Sequence, residues 1–494
     1  MHGGRLDLSF VTDILRPCAS WALHPTLTSD HFAIICHLNL PKVPSSQPPA
    51  PRWKTKLANW AKFQTALKTH LCTLDPSLTV DQKEAALTDA FHAAASESIP
   101  LTSSSTTKPP RDYWFYNDRV RELNSRINST RRHYRRKPTA QNRALLQAVV
   151  SAANRRKADI RREHWLNWCR GLDSHSSLGE MWQQLQVIAG NKRPIRPPHP
   201  DPAREAERLA SSFATRTCTG NLPAETRDRL TELLPARNYQ VDHACEDQSN
   251  TNTSLTLLEL RRALKTSGDT SPGADRITYS MITNAGSDGH SSLLTLFNAS
   301  WEACKLPSKW KEATIIPIPK PKDPGAMRPI SLLSCVGKTM ERIVLNRLTW
   351  AVGPLHQDLF AYRQGMGTAE CLSTLLCAAS SGGTTVAFLD LEKAFELANC
   401  RVILSLLVRK GVCGRLLIWL KDFLLGRAAR VAFQGETFQL HQHENGTPQG
   451  SILTPFLFNI LMEELISLPL PPGTKLLCYA DDLALYCTGP AHAQ

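Results

Sequence analysis

Two acids stand side by side at Asp481-Asp482, between the apolar runs Leu476-Leu477-Cys478 and Leu483-Ala484-Leu485. Apolar flanks around a short polar break predict a hairpin over 476–486 with the acids at its tip. Both carboxylates can there approach one cation site. Adjacent acids are also common turn residues, so the pair alone does not establish chemistry. A third acid, Asp390, ends the apolar run Val386-Ala387-Phe388-Leu389, which predicts a buried strand over 384–391. Taken alone, Asp390 reads better as a cap of the helix that follows. Taken together, the three fit phosphoryl transfer by two hard cations ~4 Å apart, whose carboxylate ligands must converge from separate strands.

The elements that would position these acids begin at about Leu255, where the pattern turns to alternating helix and strand. Helices are expected at 255–264, 293–304, 335–348, 401–410, 415–425 and 457–468, and a strand at 313–319. Two strands, 430–433 and 437–443, are expected to pair around Gln434-Gly435. The fold class is α+β.

Several motifs in this stretch stand in the order found in one family. Phe388-Leu389-Asp390-Leu391-Glu392-Lys393-Ala394-Phe395, Gly446-Thr447-Pro448-Gln449-Gly450-Ser451 and Tyr479-Ala480-Asp481-Asp482 resemble three motifs of reverse transcriptases, most closely those of LINE-type (non-LTR) retrotransposons. Upstream, Ser271-Pro272-Gly273-Ala274-Asp275, Ile316-Pro317-Ile318-Pro319-Lys320, Arg328-Pro329-Ile330-Ser331-Leu332 and Gly337-Lys338 resemble the fingers of that family. One match is weak, but an ordered series across 255–490 is not a chance pattern.

The resemblance implies a right-hand-type polymerase with fingers and palm at 255–494. It implies an RNA template, a DNA primer or target, deoxynucleoside triphosphates as substrates, and two Mg²⁺ ions, or Mn²⁺ in their place. Asp390, Asp481 and Asp482 would be the catalytic metal ligands, with the Leu391 carbonyl as a further ligand. Lys320 and Arg328 would grip the incoming triphosphate, with Lys322 competing for the lysine role. Phe395 would crowd a ribose 2′-OH, or else simply pack in the core. Gln449 and Gly450 would form the turn beside the template base and nucleotide. The sequence departs from the family pattern at Arg276, where glycine is usual, and at Glu396, where aspartate is usual. Only 12 residues follow Asp482, so a thumb is expected to be missing and extension by this chain to be absent or very weak.

A second resemblance lies at the N-terminus. Gly4-Arg5-Leu6-Asp7-Leu8-Ser9-Phe10-Val11, Trp21 and Ser29-Asp30-His31-Phe32-Ala33-Ile34 resemble the last strands of the endonuclease/exonuclease/phosphatase fold. Asp30 and His31 would then belong to a short β remnant at 1–40, too small to be an active nuclease.

Charge and proline divide the rest. Lys and Arg number 58 against 44 acids in 494 residues, a formal +14 that points to a polyanionic partner. Between Arg111 and Arg170 there are 16 basic and 5 acidic residues, interleaved with Tyr113, Trp114, Phe115, Tyr134, Trp165 and Trp168. This reads as a basic helical connector over 111–193, suited to phosphates and stacked bases, and the same region resembles the connector of LINE-type proteins. Proline-rich seams predict a linker with short helices at 41–110 and a further linker at 194–254. The 14 cysteines include no C-x-x-C pair, which argues against a zinc ribbon. No run of 18 apolar residues occurs, which argues against a membrane span. Two rival readings remain: a nucleic-acid-binding relic without polymerase activity, and a group II intron-type reverse transcriptase with maturase function. The family implies nuclear and cytoplasmic residence, and Arg131–Lys137 offers a basic import signal. The composition is silent on oligomeric state.

Overall fold

The computed structural model describes residues 19–24, 33–38, 51–71, 77–102, 115–173, 178–188, 199–247, 252–320, 323, 325–380 and 383–489. These fall into two compact units, the first drawn from 1–45 and 104–198 and the second from 46–103 and 199–494.

In the first unit, β1 (Ala19–His24) and β2 (Ala33–Leu38) pair antiparallel, from Ala19 opposite Leu38 to His24 opposite Ala33. The helices Asp118–Arg136 and Ala140–Arg170 form a hairpin. Asn117 and Thr139 start them by accepting hydrogen bonds from Val120 N and Asn142 N. Val120, Ile127, Leu146, Ala153 and Ile160 are buried, leaving the basic positions outside the seam. A third helix runs Leu178–Ile188.

Among the described residues the second unit holds two sheets. In one, β3 (Glu312–Pro319) pairs antiparallel with β4 (Met327–Leu332) and parallel with β6 (Ala428–Phe433); β7 (Glu436–Thr437) and β8 (His441–Gln442) both pair with β6. The other sheet has the order β5 (Thr384–Asp390), β10 (Asp482–Thr488), β9 (Thr474–Tyr479), all antiparallel. The hairpin expected at 476–486 is β9–β10.

Three expectations are corrected. The segment 41–110 is not simply a linker: its helices Trp60–His70 and Val80–Ser98 bury Phe63, Leu67, Leu87 and Phe91 in one cluster with Leu293, Phe297 and Trp301. The segment 194–254 likewise carries the helices Pro202–Arg216 and Ala224–Glu246. Phe213 of the first packs with Ile315 and Val431 under the β3–β6 sheet. Finally, β5 is a strand but not a buried one. It lies at the edge of its sheet, with Phe388 73% and Leu389 48% exposed. An apolar run marks a strand without saying which neighbours it has.

No described helix is long and apolar enough to cross a membrane.

Candidate active site

The acids are brought together by strand register. Asp482 stands directly opposite Asp390 in the β10–β5 ladder, although they are far apart in sequence. Directly opposed residues in an antiparallel pair have Cα atoms only ~4.5–5.5 Å apart. Asp481 lies in the two-residue turn between Tyr479 and Asp482, and its carbonyl accepts a hydrogen bond from Leu391 N at 3.3 Å. The turn also bends through Ala480, whose φ of +59° lies in the left-handed region that alanine rarely enters. Strain of this kind collects at functional sites.

A cleft of about 690 Å³ opens beside this junction. Its wall includes Lys320, Arg328, Asp390, Leu391, Phe395, Gln449, Gly450 and Asp481, all expected there from the sequence. Asp482 is not on that wall; it stands next to Asp390 in the sheet. Lys322, Asp30 and His31 lie outside the described residues.

Each wall has a local cause. Lys320 closes the β3–β4 hairpin, donating its N–H to Ala326 O at 2.9 Å, and Arg328 projects from β4 opposite Ile318. Phe395 stacks on Phe458 at 4.1 Å, so it both packs and borders the cleft. The Gly446–Ser451 loop approaches backbone so closely that side chains are excluded. A Cβ on Gly450, at φ +134°, would lie 2.4 Å from Ser331 O, and one on Gly446 would lie 2.8 Å from Glu396 O.

Arg216 and Tyr362 also line the cleft, and neither is expected there from the sequence. Arg216 ends a helix in a segment whose composition predicts a linker, and its guanidinium sits 5.2 Å from the Phe213 ring. Tyr362 holds a φ of +60°; burial, and then the Asp481 charge, pushes its phenol above the ordinary value. Neither residue belongs to a local pattern that marks it out.

The site mixes hard oxygen donors on one side with cations on the other. Among the described residues no group of three or more His, Cys, Asp or Glu side chains is placed to hold a metal ion. Mg²⁺ does not require one, because it keeps waters and substrate phosphates in its shell and uses one or two carboxylates. Asp390 and Asp481 on the cleft wall are hard oxygen donors of the kind such an ion takes.

Residues 318–494 match the family described as "Reverse transcriptase (RNA-dependent DNA polymerase)". The chain is 26% identical over 500 residues to a protein of Drosophila melanogaster named "Probable RNA-directed DNA polymerase from transposon BS", covering 93% of this chain and 52% of that protein. It is 25% identical over 518 residues to the "Probable RNA-directed DNA polymerase from transposon X-element" of the same organism, covering 98% and 54%. It is 30% identical over 253 residues to the "RNA-directed DNA polymerase from mobile element jockey", also from D. melanogaster, covering 47% and 27%. The chain thus spans about half the length of the BS and X-element proteins.

Proposed function

We propose, from the match of residues 318–494 to the reverse-transcriptase family and the similarity to non-LTR retrotransposon polymerases, that the chain extends a DNA 3′-OH with deoxynucleotides on an RNA template. The observation that carries the proposal is the register pairing of Asp390 with Asp482, with Asp481 in the adjoining turn, at a cleft that also holds Lys320 and Arg328.

In this reading Asp390, Asp481, Asp482 and the Leu391 carbonyl would hold two Mg²⁺ ions, which when bound would supply Lewis-acid activation and charge stabilisation. Lys320 and Arg328 bind the triphosphate and offset its charge as it develops. Phe395, backed by Phe458, leaves no room for a 2′-OH. Gln449 and Gly450 face the base and sugar. The basic helical hairpin of the first unit binds nucleic-acid phosphates, and Arg131–Lys137 directs nuclear entry.

The test is extension of an oligo(dT) primer on poly(rA) with dTTP and Mg²⁺. Extension that disappears in Asp481→Ala is expected. RNA binding with no Asp481-dependent extension would favour the binding relic instead.

A further inference from the structure

A buried carboxylate outside the cleft holds the loop that carries Gln449 and Gly450. Glu341 lies on the helix Cys335–Val352 and is 5% exposed. One of its oxygens accepts hydrogen bonds from Ser451 Oγ at 2.5 Å, Ile452 N at 2.7 Å and Leu453 N at 3.4 Å.

Those amides lead into the helix Thr454–Ile466, whose N-cap residue, Leu453, has no side-chain acceptor to offer. The first amides of a helix have no partner within it, and a carboxylate there also meets the positive end of the helix dipole. Ile452 and Leu453 stand just before the first helical residue, and Leu453 N also donates to Ser451 Oγ at 3.1 Å, so Glu341, on a helix distant in sequence, holds the residues that lead into this helix at the positive end of its dipole. The other side of the loop is fixed as well. Gln449 O accepts from Ser331 N at 2.8 Å, an N–H on the side of β4 away from β3. Gly450 lies so close to Ser331 O that no side chain fits. Two anchors thus hold the loop, β4 before the turn and Glu341 after it, with the cleft-lining residues between them.

A buried cation lies near Glu341. Arg427 is 6% exposed and donates to Phe423 O at 3.0 Å and Trp310 O at 3.2 Å. Burial lowers its pKa, and the negative charge of Glu341 works against that loss. The two buried charges flank the loop and compensate each other through space.

We propose that Glu341 is a positioning residue for nucleotide addition, one that sets deoxynucleotide affinity by fixing the Gln449–Gly450 turn. Glu341 is not among the residues lining the cleft, and Asp390 and Asp481 come from other elements, so its loss loosens the nucleotide wall and leaves the carboxylates in place. The inference rests on the polymerase reading.

The test compares the full chain with its Glu341→Gln and Glu341→Ala variants. Glutamine keeps the shape and one acceptor, so it serves as the folded variant even where alanine destabilises. For Glu341→Gln the expected result is a rise of about tenfold in KM for dTTP on poly(rA)–oligo(dT), with kcat within about threefold of wild type; charge-assisted hydrogen bonds have strengths of that order. The same variant should lose amide-exchange protection at Ile452 and Leu453, a readout independent of catalysis. An unchanged KM with a lower melting temperature or lower kcat would overturn the proposal, as would unchanged exchange. A wild-type chain without Asp390-dependent extension would instead overturn the polymerase reading, and the exchange measurement would still decide the anchoring.

Discussion

The basic helical hairpin and the cleft handle charge in opposite ways. On the hairpin, positive charge is abundant and exposed. Even the paired arginines stay open to water, as Arg119 does at 69% exposure while meeting Glu163 at 3.4 Å. Such surface pairs contribute at most ~1 kcal/mol, and any one arginine can replace another in a diffuse field. In the cleft, acids stand at the β5–β10 junction and cations on the β3–β4 hairpin, with Arg216, Glu392, Lys393 and Glu396 also on the wall, so charges of both signs face one small volume. The first arrangement suits capture of a polyanion without regard to position. The second suits a reaction at one phosphorus, where a misplacement of ~1 Å can cost about a hundredfold. Separating the two regions by mutation is the most direct way to break this comparison.

The largest effect is expected at the cleft. Asp390→Asn keeps the shape of the β5 terminus and removes a charge facing Asp482. Extension should fall by about 10³-fold or more, comparable to losing a central electrostatic group in other enzymes. RNA binding, measured by filter retention, should stay within twofold. A parallel loss of binding would show that the cleft, not the hairpin, carries the affinity.

The next effect tests whether the helices at 60–98 belong to the cleft's own unit. Phe91 is fully buried and its ring lies 6.0 Å from that of Phe63. Phe91→Ala should destabilise the unit by about 3–5 kcal/mol in urea unfolding, the usual range for a buried phenylalanine. Unfolding of 60–98 as a separate early transition, with the rest unaffected, would restore the linker reading.

On the hairpin, replacing Arg131, Arg132, Arg135 and Arg136 together by alanine should weaken single-stranded RNA binding about ten- to hundredfold. It should also flatten the dependence of log affinity on log salt by roughly 0.7 for each phosphate no longer neutralised. The weakening should be similar across RNA sequences, because phosphate contacts carry no sequence information. Extension at saturating template should be little changed.

These regions also differ in how legible they are in the sequence. The acids can be read because each stands where an apolar run ends or begins, and a strand bounded by a carboxylate is a local pattern. The hairpin's charge can be read by counting. Contacts made across the chain cannot. Glu341, in Met340-Glu341-Arg342, looks like a solvent-facing position on an amphipathic helix, yet it binds Ser451. Arg216 comes from a proline-flanked segment whose composition suggests a linker. The apolar faces of 60–70 and 80–98 announce burial without naming a partner. The apolar run of β5 reads as a fully covered strand, but edge or centre is decided by strand order, which no single strand records.

The smallest expected effect concerns one of the two family departures. Arg276 stands where the resemblance expects glycine, and its backbone is left-handed, with φ at +54°. It sits just after a tightly packed turn: a Cβ on Gly273 would lie 2.6 Å from Ser334 N, and Arg276 N donates to Gly273 O at 3.1 Å. The neighbouring Asp275 is half-buried, and burial raises its pKa. The turn therefore cannot relax to give Arg276 a right-handed conformation without moving buried groups. A residue with a Cβ in this region carries a cost of roughly 1–2 kcal/mol that glycine does not. Glycine in turn loses more backbone entropy on folding, by up to about 1 kcal/mol. The difference leaves Arg276→Gly more stable by about 0.5–1 kcal/mol, read as a higher urea midpoint with an unchanged m-value. RNA binding should not change, since a single exposed charge contributes little beside the 16 basic residues of 111–170. A lower midpoint would mean that the arginine side chain stabilises the turn by more than its backbone strain costs. The departure would then be an adaptation of this chain and not a tolerated strain.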